Sequence, residues 1–578
     1  MIEIAAQIPP HAKRVVELGC LREKAGEAFL RIQPKAEYWG ITDDLSELRE
    51  AGKSLTHVAC VLPEELDFEK LGIYEADVLV IRGNYFRNMT ARRLKKWTEI
   101  LSDEGQVLLD MPNPAYIRNY LELLAGEETA RVAAGMSAAA LRKLIAEAGL
   151  HLFTAQACYD LMRDSQLRKS QENKVLLECL EVLLSTLGQH AARENDPWLK
   201  SFFFKAGKKA LAKDEKFCIQ MAVGEKVVTA AKRVYEPQGF LATEPSVLTM
   251  SLLKGRPVRS IPKDITKKII VRQRLVYNSM EQGLSTVKSL REEGYLIVAE
   301  LDDNPSVFRG ERVDNANAFS YIGTHCLQVS TEPLAEMMRQ YNPHVQVFKN
   351  QLKELPEKRN YLMERLQRLK KGEDYVTFFF GALNRTQEWQ EVMPVIREAI
   401  EMYGSKLRFK VLSDMGFYEA LPTQYKEFIG SKDMYDGQFV PYNLYTAALH
   451  SSDISFLPLR DNDFNRMKSD LKFIESAGHG AVVLASPTVY EAVVREGRNG
   501  FIYRNPREFG EYLNLLIENR ERRIETAEAA YNYVREGRLL SDHYQERLAW
   551  YREMLSRREI LDREMLQRIS IMSRRKKG

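Results

Sequence analysis

The stretch Ser469–Tyr503, SDLKFIESAGHGAVVLASPTVYEAVVREGRNGFIY, decides how this 578-residue chain is read. It sets Lys472 and Glu475 three residues apart, on one face of a helical turn. The glycines of GHG (478–480) then end that helix. AVVLAS (481–486) follows as a short apolar run of the kind buried on both faces of a parallel sheet, and GFIYRN (500–505) repeats the pattern after a glycine-marked loop. Helix, strand, loop and strand in that order imply an α/β unit, whose ligands gather at the carboxyl ends of its strands.

Working outward, YVTFFFGAL (375–383), LRFKVLSD (407–414) and DISFLPL (453–459) are strands of the same unit, and two charged helices, about 507–536 and 541–568, close it. Ahead of it, KKIIVRQRLVY (267–277), GYLIVAELDD (294–303), HCLQVST (325–331) and VQVFKNQL (345–352) alternate with helical patterns. The charged stretch 352–374, which contains a proline, reads as an interdomain link running into a solvated helix. Nearer the N-terminus, RVVELGC (14–20), AEYWGIT (36–42), ADVLVIRG (76–83) and QVLLDMPN (106–113) form a third strand series, with SFFFKAGKK (201–209) as a final strand. Its helices are TARRLKKWTEILSDEG (90–105), 138–150 and 166–191, and polar residues around 211–231 mark its end. The fold class is therefore α/β, with three Rossmann-like parallel-sheet units. The expected domains are 1–210, 211–352 and 353–540, followed by a C-terminal helix and basic tail over 541–578.

Composition narrows the function classes. The chain is 45% apolar and 28% charged with a net charge of +4, too small to make an electrostatic case for nucleic acid. Six scattered cysteines without a CxxC pair argue against a zinc site or a disulfide framework and fit a reducing cytoplasm. MIEIAAQIPPHAKR lacks the apolar core of a signal peptide, and no run reaches the roughly 18 apolar residues of a membrane span. A soluble, cytoplasmic protein is expected. The end SRRKKG reads as a solvated tail, or as a peripheral contact with an anionic membrane surface.

A nucleoside-diphosphate site needs a glycine turn after a strand, a cation for the leaving diphosphate and a carboxylate for ribose hydroxyls. FFFGALNR supplies Gly381, with Asn384 and Arg385 behind it, and the opening stretch supplies Lys472 and Glu475. In AELDDNP (299–305), Asp302 and Asp303 end a strand as an acceptor contact or base, or as a turn cap. His325 is a candidate polar contact or a structural histidine, and Asp414 ends a strand where a cleft residue would sit.

With those residues in place, 375–536 resembles the donor-binding half of GT-B glycosyltransferases, especially retaining enzymes like those of glycosyltransferase family 4. The pattern is carried by Lys472, Glu475, Gly480, Val482, Val483, Ala485, Ser486 and Gly497–Gly500. Residues 217–350 would be the acceptor-side half, making the second and third units a GT-B pair. The resemblance implies that Glu475 holds the ribose, that Lys472 and Arg385 hold the diphosphate, and that Ser486 and Thr488 line the sugar end. The family's first glutamate is Met467 here, and its role would pass to Asp470 or be lost. No metal is implied.

Residues 14–210 resemble class I S-adenosylmethionine-dependent methyltransferases. Glu17-Leu18-Gly19-Cys20 would open the cofactor loop, an acid at Asp43 or Asp44 would take the ribose, and LSDEGQVLLDMPN would match a later strand. Leu21 stands where a second glycine is usual, so a degenerate domain kept for docking is the alternative to one that binds S-adenosylmethionine. The expected function is transfer of a sugar from a nucleotide-diphosphate donor to a glycan, glycolipid or protein acceptor, in surface polysaccharide or glycoconjugate synthesis. The alternatives are a bifunctional glycosyltransferase/methyltransferase and a non-catalytic scaffold of nucleotide-fold domains.

Overall fold

The computed structural model describes residues 3–575 except 20, 114–115, 117–135, 160–198, 224–229, 254–260, 275, 306–314, 383 and 431–439. The helix expected over 166–191 and the last three residues of the basic end lie outside the described residues. The chain forms two compact units. The first comprises Met1–Phe217, Gly239–Leu248 and Lys263–Thr266; the second comprises Cys218–Gln238, Thr249–Pro262 and Lys267–Gly578.

In the first unit the strands are β1 (Arg14–Leu18), β2 (Glu37–Thr42), β3 (His57–Cys60), β4 (Ala76–Arg82), β5 (Leu101–Pro112), β6 (His151–Tyr159) and β7 (Leu199–Gly207). They lie in the order β3-β2-β1-β4-β5-β7-β6. The strand order reverses between β1 and β4, both parallel to their neighbours, whereas β7 runs antiparallel to β5 and β6. The helix expected over 90–105 is shorter than its pattern. Thr90 caps it by accepting from Arg93 N, and Leu94 and Trp97 bury its inner face, but it ends at Thr98. Leu101 then pairs with Ala76 and opens β5.

The second unit holds two six-stranded sheets. One comprises β8 (Phe217–Val223), β9 (Val247–Leu253), β10 (Lys267–Gln273), β11 (Tyr295–Leu301), β12 (Cys326–Val329) and β13 (Val345–Val347), in the order β13-β12-β11-β10-β8-β9. Within 211–231, read as a boundary, FCIQMAV forms β8, a strand not marked from the sequence; it is buried at every position and pairs into this sheet. The other comprises β14 (Val376–Phe380), β15 (Leu407–Leu412), β16 (Lys426–Ile429), β17 (Ile454–Leu457), β18 (Val482–Ala485) and β19 (Phe501–Ile502), in the order β16-β15-β14-β17-β18-β19, parallel throughout. Phe378, Phe380, Phe409, Phe417 and Phe456 pack together at its centre.

Each of the two closing helices expected from the sequence is divided. Asn519 ends helix Pro506–Glu518 and caps helix Arg520–Gly537 by accepting from Arg522 N. Tyr544–Ser556 and Arg558–Arg575 follow. The last helix seats Met565 among Ile270 and Ile297, and Asp562 takes two hydrogen bonds from Arg291, at 2.6 and 2.7 Å.

Candidate functional site

Helix Leu471–Gly478 lies ahead of β18. Phe473, Ile474 and Ala477 bury its inner face against Val483, Ala530 and Tyr531. Gly480, at φ +74°, ends the turn; a Cβ there would meet Tyr361 Oη at 2.7 Å. Lys472 and Glu475 project from the other side, and each has definite partners.

Lys472 Nζ donates to the carbonyl of Gly381 at 2.7 Å, just past the carboxyl end of β14, and lies 5.3 Å from the centre of the Tyr445 ring. Burial lowers the Lys472 pKa; Glu475 opposes that shift, and the positive charges of Arg385 and Lys468 add to it. A partly buried ammonium near two further cations is a preorganised positive field, an environment that stabilises an anionic leaving group. Glu475 is 5% exposed and accepts from the hydroxyls of Tyr442 (3.1 Å) and Tyr445 (3.0 Å). A carboxylate has about four acceptor positions, so these two bonds leave capacity for a further hydroxyl. Lys232, paired with Glu236 at 2.9 Å, lies 5.0 Å from the centre of the Tyr442 ring.

Arg385 stands at the start of helix Thr386–Tyr403, near Glu388 at 3.6 Å, and Asn384 before it takes the left-handed conformation at φ +57°. Gly381 is required by a close approach: a Cβ would fall 2.4 Å from the Phe379 ring. Gly381, Arg385, Lys472 and Glu475 therefore gather at the carboxyl end of β14.

The other expected site residues have local partners. Ser486 Oγ donates to Leu459 O (2.9 Å) and accepts from Leu459 N (2.7 Å), and Thr488 Oγ1 donates to the same carbonyl (2.7 Å). Both residues border a cavity of about 440 Å³ that Glu388 and Arg460 also line. Asp414 caps helix Met415–Ala420 by accepting from Phe417 N, and burial raises its pKa. Asp470 forms a two-point ion pair with Arg538 (2.5 and 2.9 Å), and Met467 packs beside the apolar side chains of the other sheet.

Asp303 pairs through both carboxylate oxygens with Lys468 (3.2 and 3.1 Å), and Asp302 with Arg274 (2.5 Å). Thr331 Oγ1 donates to Met467 O and Asn350 Nδ2 to Ser469 Oγ. The residues just ahead of the Lys472 helix are thus tied to loops at the carboxyl ends of β11, β12 and β13. His325 is fully buried, its Nδ1 accepting from Ile297 N at 2.8 Å, with Nε2 3.3 Å from Asp562. Tyr442, Tyr445, Lys468 and Lys232 were not singled out by sequence reasoning. The two tyrosines had a signal, YNLY at helical i,i+3 spacing before a strand. Lys468 had none, because its partner Asp303 is distant in the chain, and Lys232, paired locally with Glu236, meets the Tyr442 ring only through the fold.

In the first unit, Glu17 lies at the carboxyl side of β1, 1% exposed, beside the point where the strand order reverses. One of its oxygens accepts from Tyr38 Oη (2.9 Å) and the other from Arg82 Nη1 (3.2 Å). Arg82, the last residue of β4, also pairs with Asp110 of β5 (3.2 Å) and with Glu23. Burial raises the Glu17 pKa to about 7, against the opposing pull of Arg82. Gly19 closes the turn at φ +81°, where a Cβ would meet Arg82 O at 2.7 Å. Asp43 accepts from Asn84, and Asp44 caps a helix and pairs with Arg22. Each of these side chains has a partner within the unit.

No curated protein matches the chain in sequence. Among solved structures, Anabaena HepE in complex with UDP and glucose aligns at 13% identity and TM-score 0.38, over 59% of this chain and 99% of its own. A glycosyltransferase from Rickettsia africae ESF-5 aligns at 10% identity and TM-score 0.40, over 59% and 99%. The stretch from Arg385 to Trp550, which contains Lys472 and Glu475, matches the family described as glycosyl transferase-like.

Proposed function

We propose that this protein is a glycosyltransferase of the GT-B type that uses a nucleoside-diphosphate sugar and retains the anomeric configuration. The observation that carries the reading is the pairing of a partly buried Lys472 ammonium at the carboxyl end of β14 with a Glu475 carboxylate one turn away, inside the glycosyl transferase-like segment. Lys472 and Arg385 take the diphosphate, and Glu475, oriented by Tyr442 and Tyr445, accepts from the ribose hydroxyls. In the transfer an acceptor oxygen bonds to the anomeric carbon as the carbon–oxygen bond to phosphate breaks. The nucleoside diphosphate leaves with the electron pair, and the proton of the acceptor hydroxyl passes to the departing phosphate oxygen. The fixed cations stabilise the charge that develops on the leaving oxygen, a contribution of about 3 kcal/mol or more for well-placed groups. No metal or other cofactor is assigned to this step.

Asp303 lies on the acceptor side, where Lys468 holds its carboxylate; its role in this reading is to position the acceptor half. The acceptor is a glycan, glycolipid or protein, consistent with surface polysaccharide or glycoconjugate synthesis. No helix among the described residues is long and apolar enough to cross a membrane; a peripheral membrane contact through the basic end is part of this reading. Calorimetric titration with UDP, GDP and their sugars, with hydrolysis of the same donors, tests the reading. Binding of one nucleotide sugar that Glu475→Ala abolishes supports it; no binding of any, or an unaltered Glu475→Ala protein, refutes it.

A further inference from the structure

The sheet that carries the donor site at its carboxyl ends has a second concavity at its amino ends. Tyr375 precedes β14, Arg408 is the second residue of β15, Lys426 opens β16 and Ser451 lies ahead of β17; all border a cavity of about 720 Å³. β14 is five residues long, so about 16 Å of strand separates this cavity from Gly381 and Lys472. A parallel sheet in an α/β unit is ordinarily apolar on both faces. β15 departs from that rule: Leu407 and Val411 are buried in the core, while the alternating Arg408 and Lys410 line the cavity.

The charge there is not balanced residue for residue. Arg368, Lys371, Arg408, Lys410 and Lys426 line the space. Three acids line it too: Glu364 is held by Arg359, Glu373 by Arg408, and Glu427 stands opposite Lys410 in the neighbouring strand. Arg368 pairs with the buried Asp453 (3.0 Å), and five basic side chains stand against three acids around the space. Lys410 Nζ hydrogen-bonds to Ser451 Oγ (2.6 Å), and Lys426 Nζ to the carbonyls of Tyr418 and Leu421 (2.8 Å each), so these bonds go to uncharged acceptors. Arg408 lies 3.8 Å from the centre of the Tyr375 ring and Arg368 lies 4.5 Å from it, which holds both guanidinium groups in place; Arg408 Nε is buried without a hydrogen bond. Fixed cations in a concavity within the roughly 300–1,000 Å³ of small-molecule sites call for an anionic ligand. Arginine forks beside lysine point charges suit phosphoryl oxygens.

We infer that this cavity is a second binding site, for a small molecule carrying two or more phosphoryl groups. It is separate from the donor cleft and does not depend on the glycosyltransferase reading. The test is calorimetric titration of the full chain carrying Lys472→Ala with inorganic pyrophosphate, so that the donor cleft does not compete. One binding event with Kd below about 1 mM is expected, weakened about tenfold by the further substitution Lys410→Met. It weakens as ionic strength rises. Lys371→Ala, at the exposed end of helix Tyr361–Lys370, leaves packing untouched and is expected to weaken binding about threefold; it decides the matter should Lys410→Met fail to fold. Absence of binding to the Lys472→Ala chain, or binding that neither substitution alters, overturns the inference.

Discussion

Replacing Lys472 with methionine removes a charge while keeping most of the side chain's length. In the wild type the ammonium is partly buried and donates a hydrogen bond to the carbonyl of Gly381. A unit charge about 4 Å from a phosphate charge gains about 4 kcal/mol at an effective dielectric of about 20. Exchange with water leaves about 1.5–3 kcal/mol for a hydrogen bond to a charged group. Lys472→Met should therefore weaken nucleoside-diphosphate binding about 10- to 150-fold. Stability of the free protein should move the other way or not at all, because the substitution removes a desolvated cation and supplies an apolar isostere. Titration of wild type and variant with UDP and GDP, alongside thermal melts, separates the two effects. A purely structural lysine would give a lowered melting temperature and unchanged binding.

The pH dependence supplies an independent check. Because the folded-state pKa of Lys472 is depressed, the unfolded chain binds more protons between that value and the ordinary 10.5, and stability rises with pH across the interval. Nucleotide affinity falls over the same interval as the ammonium is lost, and both slopes vanish in Lys472→Met. An affinity unchanged in the variant, with the protein folded, would refute the assignment of Lys472 to the diphosphate.

Glu475→Gln, which keeps the shape and loses the charge, should lower kcat/KM for the nucleotide sugar about tenfold or more, whereas Tyr442→Phe should cost less than about threefold because Tyr445 still orients the carboxylate; release of free nucleotide measures both. Lys468→Met and Asp303→Asn in a double-mutant cycle should show a coupling of about 0.5–1 kcal/mol in urea unfolding, as suits a partly exposed pair. Additive effects would remove this ion pair from the ties between the Lys472 segment and the other sheet. The folded-state pKa of Glu17, raised to about 7 from an ordinary 4.5, means that the native state binds the extra proton; stability should fall as pH rises through that window, and Glu17→Gln should flatten the slope. Titration with S-adenosylmethionine should give no binding heat, since Glu17 and Asp43 are already bonded within the protein; saturable binding would show that the Arg82 network opens.

Strands buried on both faces were legible because their sequences are almost wholly apolar: VTFFF and VVLA are β14 and β18. Short or polar strands were not. KEFI (β16) and HVAC (β3) mix charged or polar residues with apolar ones and take their conformation from a neighbouring strand. FCIQMAV was passed over because the polar stretch before it suggested a boundary, yet every residue is buried once β10 and β9 flank it. The long C-terminal helices gave no periodic signal of their breaks, since a capping Asn519 looks like any other surface residue until the chain turns there. At the candidate site, the spacing of Lys472 and Glu475 was visible in the chain; their partners were not, because Gly381 is 91 residues from Lys472 and Tyr445 is 30 from Glu475.

By itself the sequence determined the α/β rhythm, the positions of most strands and the placing of a cation and an acid on one helical turn, because these depend on side-chain polarity at periods of 2 and 3.6 residues. Tertiary structure alone decided that Ser486 and Thr488 spend their hydroxyls on Leu459, that Asp303 answers Lys468 and that Glu17 answers Arg82. Hydrogen bonds and ion pairs depend on distances of about 3 Å between atoms whose sequence separation carries no information about their separation in space.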